Sequence, residues 1–168
     1  EMPSNFRTEY DLDAFLKKQG IVGVYGVDTR EITRIIREKG VMNARIVSSL
    51  DGIDYDEIKA YRIVDAVKSV SCKEKYTVGD KDSRYKVALM DYGAKKNIVR
   101  ELVARGCEVT VMPYDTPAGD IIAMNPDGIM LSNGPGDPAE NLFQIKVIKE
   151  LVGKKPIFGI CLGHQLLA

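Results

Sequence analysis

Gly159-Ile160-Cys161-Leu162-Gly163-His164-Gln165 is the stretch of this 168-residue chain best equipped for covalent chemistry. A cysteine flanked at two residues by glycine on each side has the G-x-nucleophile-x-G order of a strand-to-helix elbow, with cysteine where hydrolases of another fold place serine. The nucleophile of such an elbow sits on a tight, strained turn, and the glycines leave room for it. The helix that begins there directs unpaired N–H groups and its positive dipole end at the thiol, which favours the reactive thiolate. The N–H of Leu162, just after the nucleophile, is placed to hold an oxyanion. Most unpaired cysteines are small buried hydrophobes, and Cys72 and Cys107 are read so. At Cys161 simple packing gives no reason for glycines on both sides.

A second stretch, Ser132-Asn133-Gly134-Pro135-Gly136-Asp137-Pro138, is a tight turn running into a helix cap. Glycines on either side of a proline let backbone N–H groups approach a ligand closely. Alone this is also what a plain turn looks like. Lying one strand-helix unit before Cys161, it is expected to form a second wall of the same site. His164, the only histidine, belongs to the helix behind the elbow. Its ring is expected to point into the structure rather than at the thiol, so it is not read as the base. Asp91-Tyr92-Gly93-Ala94-Lys95-Lys96-Asn97 lies at a helix start and could bind an anion, but lacks a full glycine fingerprint.

The elements that must position these residues follow from the apolar pattern. Val87 to Met90 reads as a strand, and Ile98, Val99, Leu102 and Val103 as one face of a helix closed by Gly106. Glu108 to Met112 is a second strand, completing a βαβ unit. Asp127 to Ser132 gives a third strand. Asp137-Pro138 caps a helix carrying Leu142, Ile145, Ile148, Leu151 and Val152, stopped by Gly153, and Pro156 to Ile160 is a fourth strand. Strands apolar throughout and alternating with helices predict an α/β fold with a doubly wound, mainly parallel sheet. Ligands gather at the carboxyl ends of such strands, where both glycine motifs fall.

Upstream, Asp11 caps a helix bearing Leu12, Phe15 and Leu16 that ends at Gly20, and Ile21 to Val27 reads as a strand. Asp28 and Glu31 have capping-box spacing, with Glu31 reaching back, before a helix with Ile32, Ile35 and Ile36 on its apolar face. Asn43 to Ser48 reads as a strand and Asp56 to Val67 as a helix. The polar interval that follows is the expected boundary. The predicted organisation is residues 1–70 as part of a smaller α/β domain, 71–85 as a linker and 86–168 as the doubly wound domain, with a charged surface hairpin within one domain as the alternative for the interval.

Composition excludes several classes. Lys plus Arg and Asp plus Glu both total 24, and no stretch concentrates positive charge, which argues against a nucleic-acid partner. The longest apolar runs are broken by glycine and fall short of the ~20 residues of a membrane helix. Residues 1–5 show no secretory signal. Three widely spaced cysteines form neither a disulfide framework nor a metal-ligand pair, and a reducing cytoplasm fits them.

The two glycine motifs at this spacing resemble the class I (triad) glutamine amidotransferase domain, over roughly Lys86 to the end. Gly23-Val24-Tyr25-Gly26-Val27-Asp28-Thr29-Arg30 and the 91–97 loop resemble the carbamoyl-phosphate synthetase small subunits in particular. Amidotransferases of anthranilate or GMP synthesis lack that amino-terminal portion. The resemblance implies a flavodoxin-like amidotransferase domain in which Cys161 attacks the side-chain amide of L-glutamine, forms a thioester and releases ammonia. Gly134 and Leu162 would offer N–H groups to the oxyanion, and Gly136 and Gln165 would help hold the substrate. It implies no cofactor in this chain. The partner would be a large subunit that uses ATP and bicarbonate to make carbamoyl phosphate for arginine and pyrimidine synthesis. The family's catalytic histidine and glutamate lie well beyond the nucleophile, and its substrate-binding serine lies in the front of the amino-terminal domain. Both ends therefore read as trimmed, and the chain alone is expected not to turn over glutamine. Two alternatives stand beside this reading: another class I amidotransferase, or a flavodoxin-like binding module with an inert elbow cysteine.

Overall fold

The computed structural model describes residue 6 and residues 8–168; residues 1–5, read above as lacking a secretory signal, lie outside the described residues. The chain divides into two compact units, 1–61 and 62–168.

The first unit holds α1 (Leu12–Gln19), α2 (Thr29–Lys39) and α3 (Tyr55–Ala60). Asp11 caps α1 by accepting the Ala14 N–H at 2.7 Å, and Gly20 ends it at φ 64, as its position predicts. Asp28 likewise accepts the Glu31 N–H at 2.9 Å. The reciprocal half of the box is absent, because the Glu31 carboxylate binds the Arg34 guanidinium instead, its Nε at 2.8 Å. Of the expected apolar face, Ile32 and Ile36 are exposed and Ile35 is half-buried. Neither 21–27 nor 43–48 is a strand. A strand exists through the neighbour that takes its backbone bonds, and among the described residues neither run has one. The helix expected over 56–67 breaks at Tyr61. Asn43 Nδ2 donates to the carbonyl oxygens of Ile58 (2.9 Å), Lys59 (3.3 Å) and Tyr61 (2.9 Å), closing α3 at its last turn.

The second unit contains α4 (Ala66–Val70), β1 (Tyr76–Val78), β2 (Tyr85–Asp91), α5 (Lys96–Ala104), β3 (Cys107–Pro113), α6 (Ala118–Ala123), β4 (Gly128–Leu131), a 3-10 turn (Pro138–Glu140), α7 (Leu142–Leu151), β5 (Ile157–Gly159) and α8 (Leu162–Leu167). The sheet order is β1-β3-β2-β4-β5, with β1 antiparallel and all other pairs parallel. The interval expected as a linker is thus part of this unit: β1 lies within it and pairs with β3, Thr77 opposite Thr110. The alternation of β2 explains the covering on both faces. Ala88 and Met90 pack with Ile121, Val147, Leu151, Leu162 and Leu166, while Val87 and Leu89 pack with Ile98, Val99, Leu102 and Val103 of α5. The fold is therefore the doubly wound α/β arrangement read from the sequence.

Two local departures have clear causes. Asp137 does cap, accepting the Ala139 N–H at 2.9 Å, but the turn it starts is 3-10 and ends at Asn141, whose Nδ2 donates to the Asp137 carbonyl. The helix restarts there in a new phase, so Gln144, Val147, Ile148 and Leu151 are buried and Leu142 is exposed. Among the described residues no helix is long and apolar enough to cross a membrane.

Candidate active site

β2 sits at the centre of the sheet, with β3 on one side and β4 on the other, so the chain reverses its winding beside β2. Crevices at such points, outside the carboxyl ends of the strands, are where doubly wound sheets bind ligands. The loops leaving β2, β4 and β5 all end there, and they carry the 91–97 segment, the Gly134 turn and the Cys161 elbow.

Cys161 has φ 52 and ψ −112, a left-handed backbone for a residue that is not glycine, and its thiol is free and exposed. Such a conformation costs of order 1–3 kcal/mol and persists only where its surroundings enforce it. Here the glycines enforce it by letting backbone approach backbone. A Cβ on Gly159 would lie 2.6 Å from the carbonyl carbon and oxygen of Gly163, and one on Gly163 would collide with the Leu131 carbonyl. The Ile160 N–H donates to Leu131 O at 3.0 Å and the Gly163 N–H to Ser132 O at 3.1 Å, so the elbow is laced to the end of β4.

The turn after β4 meets the elbow directly. A Cβ on Gly134 would come within 2.7 Å of Leu162 Cδ2 and would overlap the Tyr92 carbonyl oxygen. Gly134 and Leu162 are thus neighbours, and the two motifs stand side by side at the strand ends. As the first residue of α8, Leu162 has an N–H that no carbonyl within the helix can reach. Gln165 lies one turn on, exposed, its own N–H donating to Cys161 O at 3.0 Å. Gly136 has φ 88. It packs against Ala66 and lines a cleft of about 400 Å3 with Val67, Tyr114, Asn141 and Gln144, a cleft that includes neither Cys161, Leu162 nor Gln165.

Three expectations are corrected. His164 is exposed rather than turned into the structure. The loop leading into α5 turns three of its N–H groups onto side chains rather than towards an anion: Asp91 Oδ1 accepts those of Gly93 (2.9 Å) and Ala94 (2.7 Å), and Asn133 Oδ1 accepts that of Lys95 (3.1 Å). Cys72 is only half-buried, with its N–H donating to Asp91 Oδ2 at 2.8 Å; desolvation, reinforced by the Asp91 charge, pushes its thiol up to about 11. Cys107 is the small buried hydrophobe expected.

Sequence reasoning assigned no role to Ser132 and Asn133, which tie the loops together. Asn133 grips the 91–97 loop from both amide atoms, its Nδ2 donating to Gly93 O at 3.0 Å. Their one visible signal was two small polar residues ahead of the Gly134 turn.

Comparison with known proteins agrees with this geometry. The family described as "Glutamine amidotransferase class-I" matches residues 88–168, and that described as "Carbamoyl-phosphate synthase small chain, CPSase domain" matches residues 1–46. The carbamoyl phosphate synthase small chain of Syntrophotalea carbinolica is 50% identical, the alignment covering 99% of this chain and 49% of the relative. That of Clostridium perfringens is 47% identical over 100% and 48%, and that of Chlorobaculum tepidum 47% identical over 98% and 47%. The chain therefore spans about half the length of the curated relatives it matches. Matches to both segments and across nearly the whole chain place it in the carbamoyl-phosphate synthase small-chain family, within the class-I glutamine amidotransferases.

Proposed function

We propose that this chain supplies the nucleophile and oxyanion donors of a glutamine-hydrolysing subunit that feeds ammonia to a carbamoyl-phosphate-forming partner. The observation that carries the reading is Cys161 itself, an exposed thiol held at φ 52 on an elbow in contact with the Gly134 turn.

The Cys161 thiolate attacks the side-chain amide carbon of L-glutamine, and the carbonyl oxygen becomes an oxyanion. Gly134 and Leu162 donate their N–H groups to it, an arrangement worth most where charge develops only in the transition state. The C–N bond then breaks, the nitrogen leaves as ammonia after gaining a proton, and a thioester remains on Cys161. Water attacks the thioester, releases glutamate and regenerates the thiol. Gly136 and Gln165 are assigned to holding glutamine. The proton transfers belong to the histidine and glutamate that the family carries further along than Ala168. Ammonia passes to a large subunit, which uses ATP and bicarbonate; this chain itself takes no cofactor. A reducing cytoplasmic setting suits a catalytic thiol, and arginine and pyrimidine synthesis are the assigned uses of the product.

Replacing Cys161 with serine in the protein extended to its relatives' length, assembled with the large subunit, tests this. Glutamine-dependent carbamoyl phosphate formation should vanish while free ammonia still supports it. Persistence of glutamine use in Cys161→Ser would sink the assignment.

A further inference from the structure

Ser132 is fully buried at the end of β4, and all of its polar groups are engaged. Its N–H donates to Met90 O at 3.2 Å and its carbonyl accepts the Gly163 N–H at 3.1 Å. Its Oγ accepts the Tyr92 N–H at 2.9 Å and lies 2.8 Å from the Asn133 carbonyl oxygen. A carbonyl can only accept, so the single hydroxyl proton of Ser132 is committed to Asn133 O.

That carbonyl belongs to the same peptide unit as the Gly134 N–H. The unit is planar and trans, so its N–H points away from its C=O, and fixing the oxygen fixes the direction of the N–H. A lock is needed because rotating this peptide changes φ of Gly134, and glycine resists such rotation least. Through its carbonyl the same residue also holds Gly163, the second residue of α8, and so sets where Leu162 stands.

We infer that Ser132 is a positioning residue for glutamine hydrolysis, its hydroxyl orienting the Asn133–Gly134 peptide so that the Gly134 N–H faces the oxyanion. This rests on the glutaminase reading above. Ser132 touches no substrate and acts only through the peptide it holds.

The test is Ser132→Ala in the extended, glutamine-hydrolysing protein, read in three ways. Losing one oxyanion donor outright costs about 10²–10³ in kcat, and a misaimed donor loses part of that. Turnover should therefore fall about 10- to 100-fold with KM within about threefold. Iodoacetamide alkylation of Cys161, a displacement that builds no oxyanion, should stay within about twofold of wild type. If Ser132→Ala does not fold, Ser132→Cys, of similar size with a weaker donor, carries the test, and an intermediate kcat at unchanged KM is expected. Wild-type kcat in either variant overturns the inference, as does a parallel loss of turnover and alkylation, which marks a merely structural role. A wild-type protein that alkylates at Cys161 but hydrolyses no glutamine overturns the glutaminase reading itself, and the role of Ser132 with it.

Discussion

Gly134 and Leu162 leave the ends of different strands, β4 and β5, yet are close enough that a Cβ on the first would lie 2.7 Å from Cδ2 of the second. The closeness has two causes. β4 and β5 are parallel neighbours in register, Leu131 opposite Gly159, so both loops begin at the same level. The Gly163 N–H then bonds Ser132 O, drawing the start of α8 onto the β4 turn.

Gly134→Ala tests that packing. The new Cβ would meet Leu162, which has a flexible side chain, but also the Tyr92 carbonyl oxygen, which is held in the backbone of the loop after β2. The turn must shift away from the elbow. A stability loss of about 1–3 kcal/mol in urea denaturation is expected, typical of overpacking. In the extended protein glutamine turnover should fall by more than that loss explains, because the displaced group is an assigned oxyanion donor. Wild-type stability together with wild-type turnover would show that the turn has room.

Much of this site was legible because its glycines are spaced for one purpose. The interval from Gly159 to Gly163 encodes an elbow, and β2 to β5 follow from apolar runs separated by helix-period segments. What escaped notice has few apolar residues or depends on distant partners. β1 lies in a polar stretch and is a strand only because Tyr76 to Val78 find the edge of β3. Residues 21–27 have the composition of a strand but no such neighbour among the described residues, so propensity alone misleads there. The occupied N–H of Lys95, just ahead of α5, was equally hidden, since its acceptor Asn133 lies 38 residues away.

Cys72 gives a pH-dependent signature. Burial first, and the Asp91 carboxylate second, raise its thiol from 9.0 to about 11. A group whose value is raised on folding stabilises fully below its unfolded value and loses that contribution as pH climbs through its folded one. The stability that Cys72 adds as a protonated thiol should therefore be constant below about pH 9 and decline towards pH 11. Urea midpoints of wild type and Cys72→Ala, compared across this window, should converge as pH rises. A gap that widens would mean that the folded protein favours the Cys72 thiolate.

The last prediction concerns His164 and the rate of the chain by itself. Breaking the C–N bond of an amide requires a proton on the departing nitrogen, and a positioned acid and base typically contribute ~10²–10⁴-fold. His164 is the only histidine in the sequence, and it stands exposed on α8, the helix that begins just after the nucleophile. An elbow thiol with its two assigned oxyanion donors but without a positioned acid and base should give only residual hydrolysis, because the members of a catalytic set work as a unit. The 168-residue chain is therefore expected to hydrolyse glutamine at a rate at least about 10²-fold below that of the protein extended to its relatives' length. His164→Ala in that extended protein should keep turnover within about threefold of wild type, since the mutation removes neither donor nor nucleophile. Single-turnover measurement of thioester formation separates the cases. Equal rates for the chain and the extended protein, or loss of acylation in a folded His164→Ala variant, would assign the proton relay to His164.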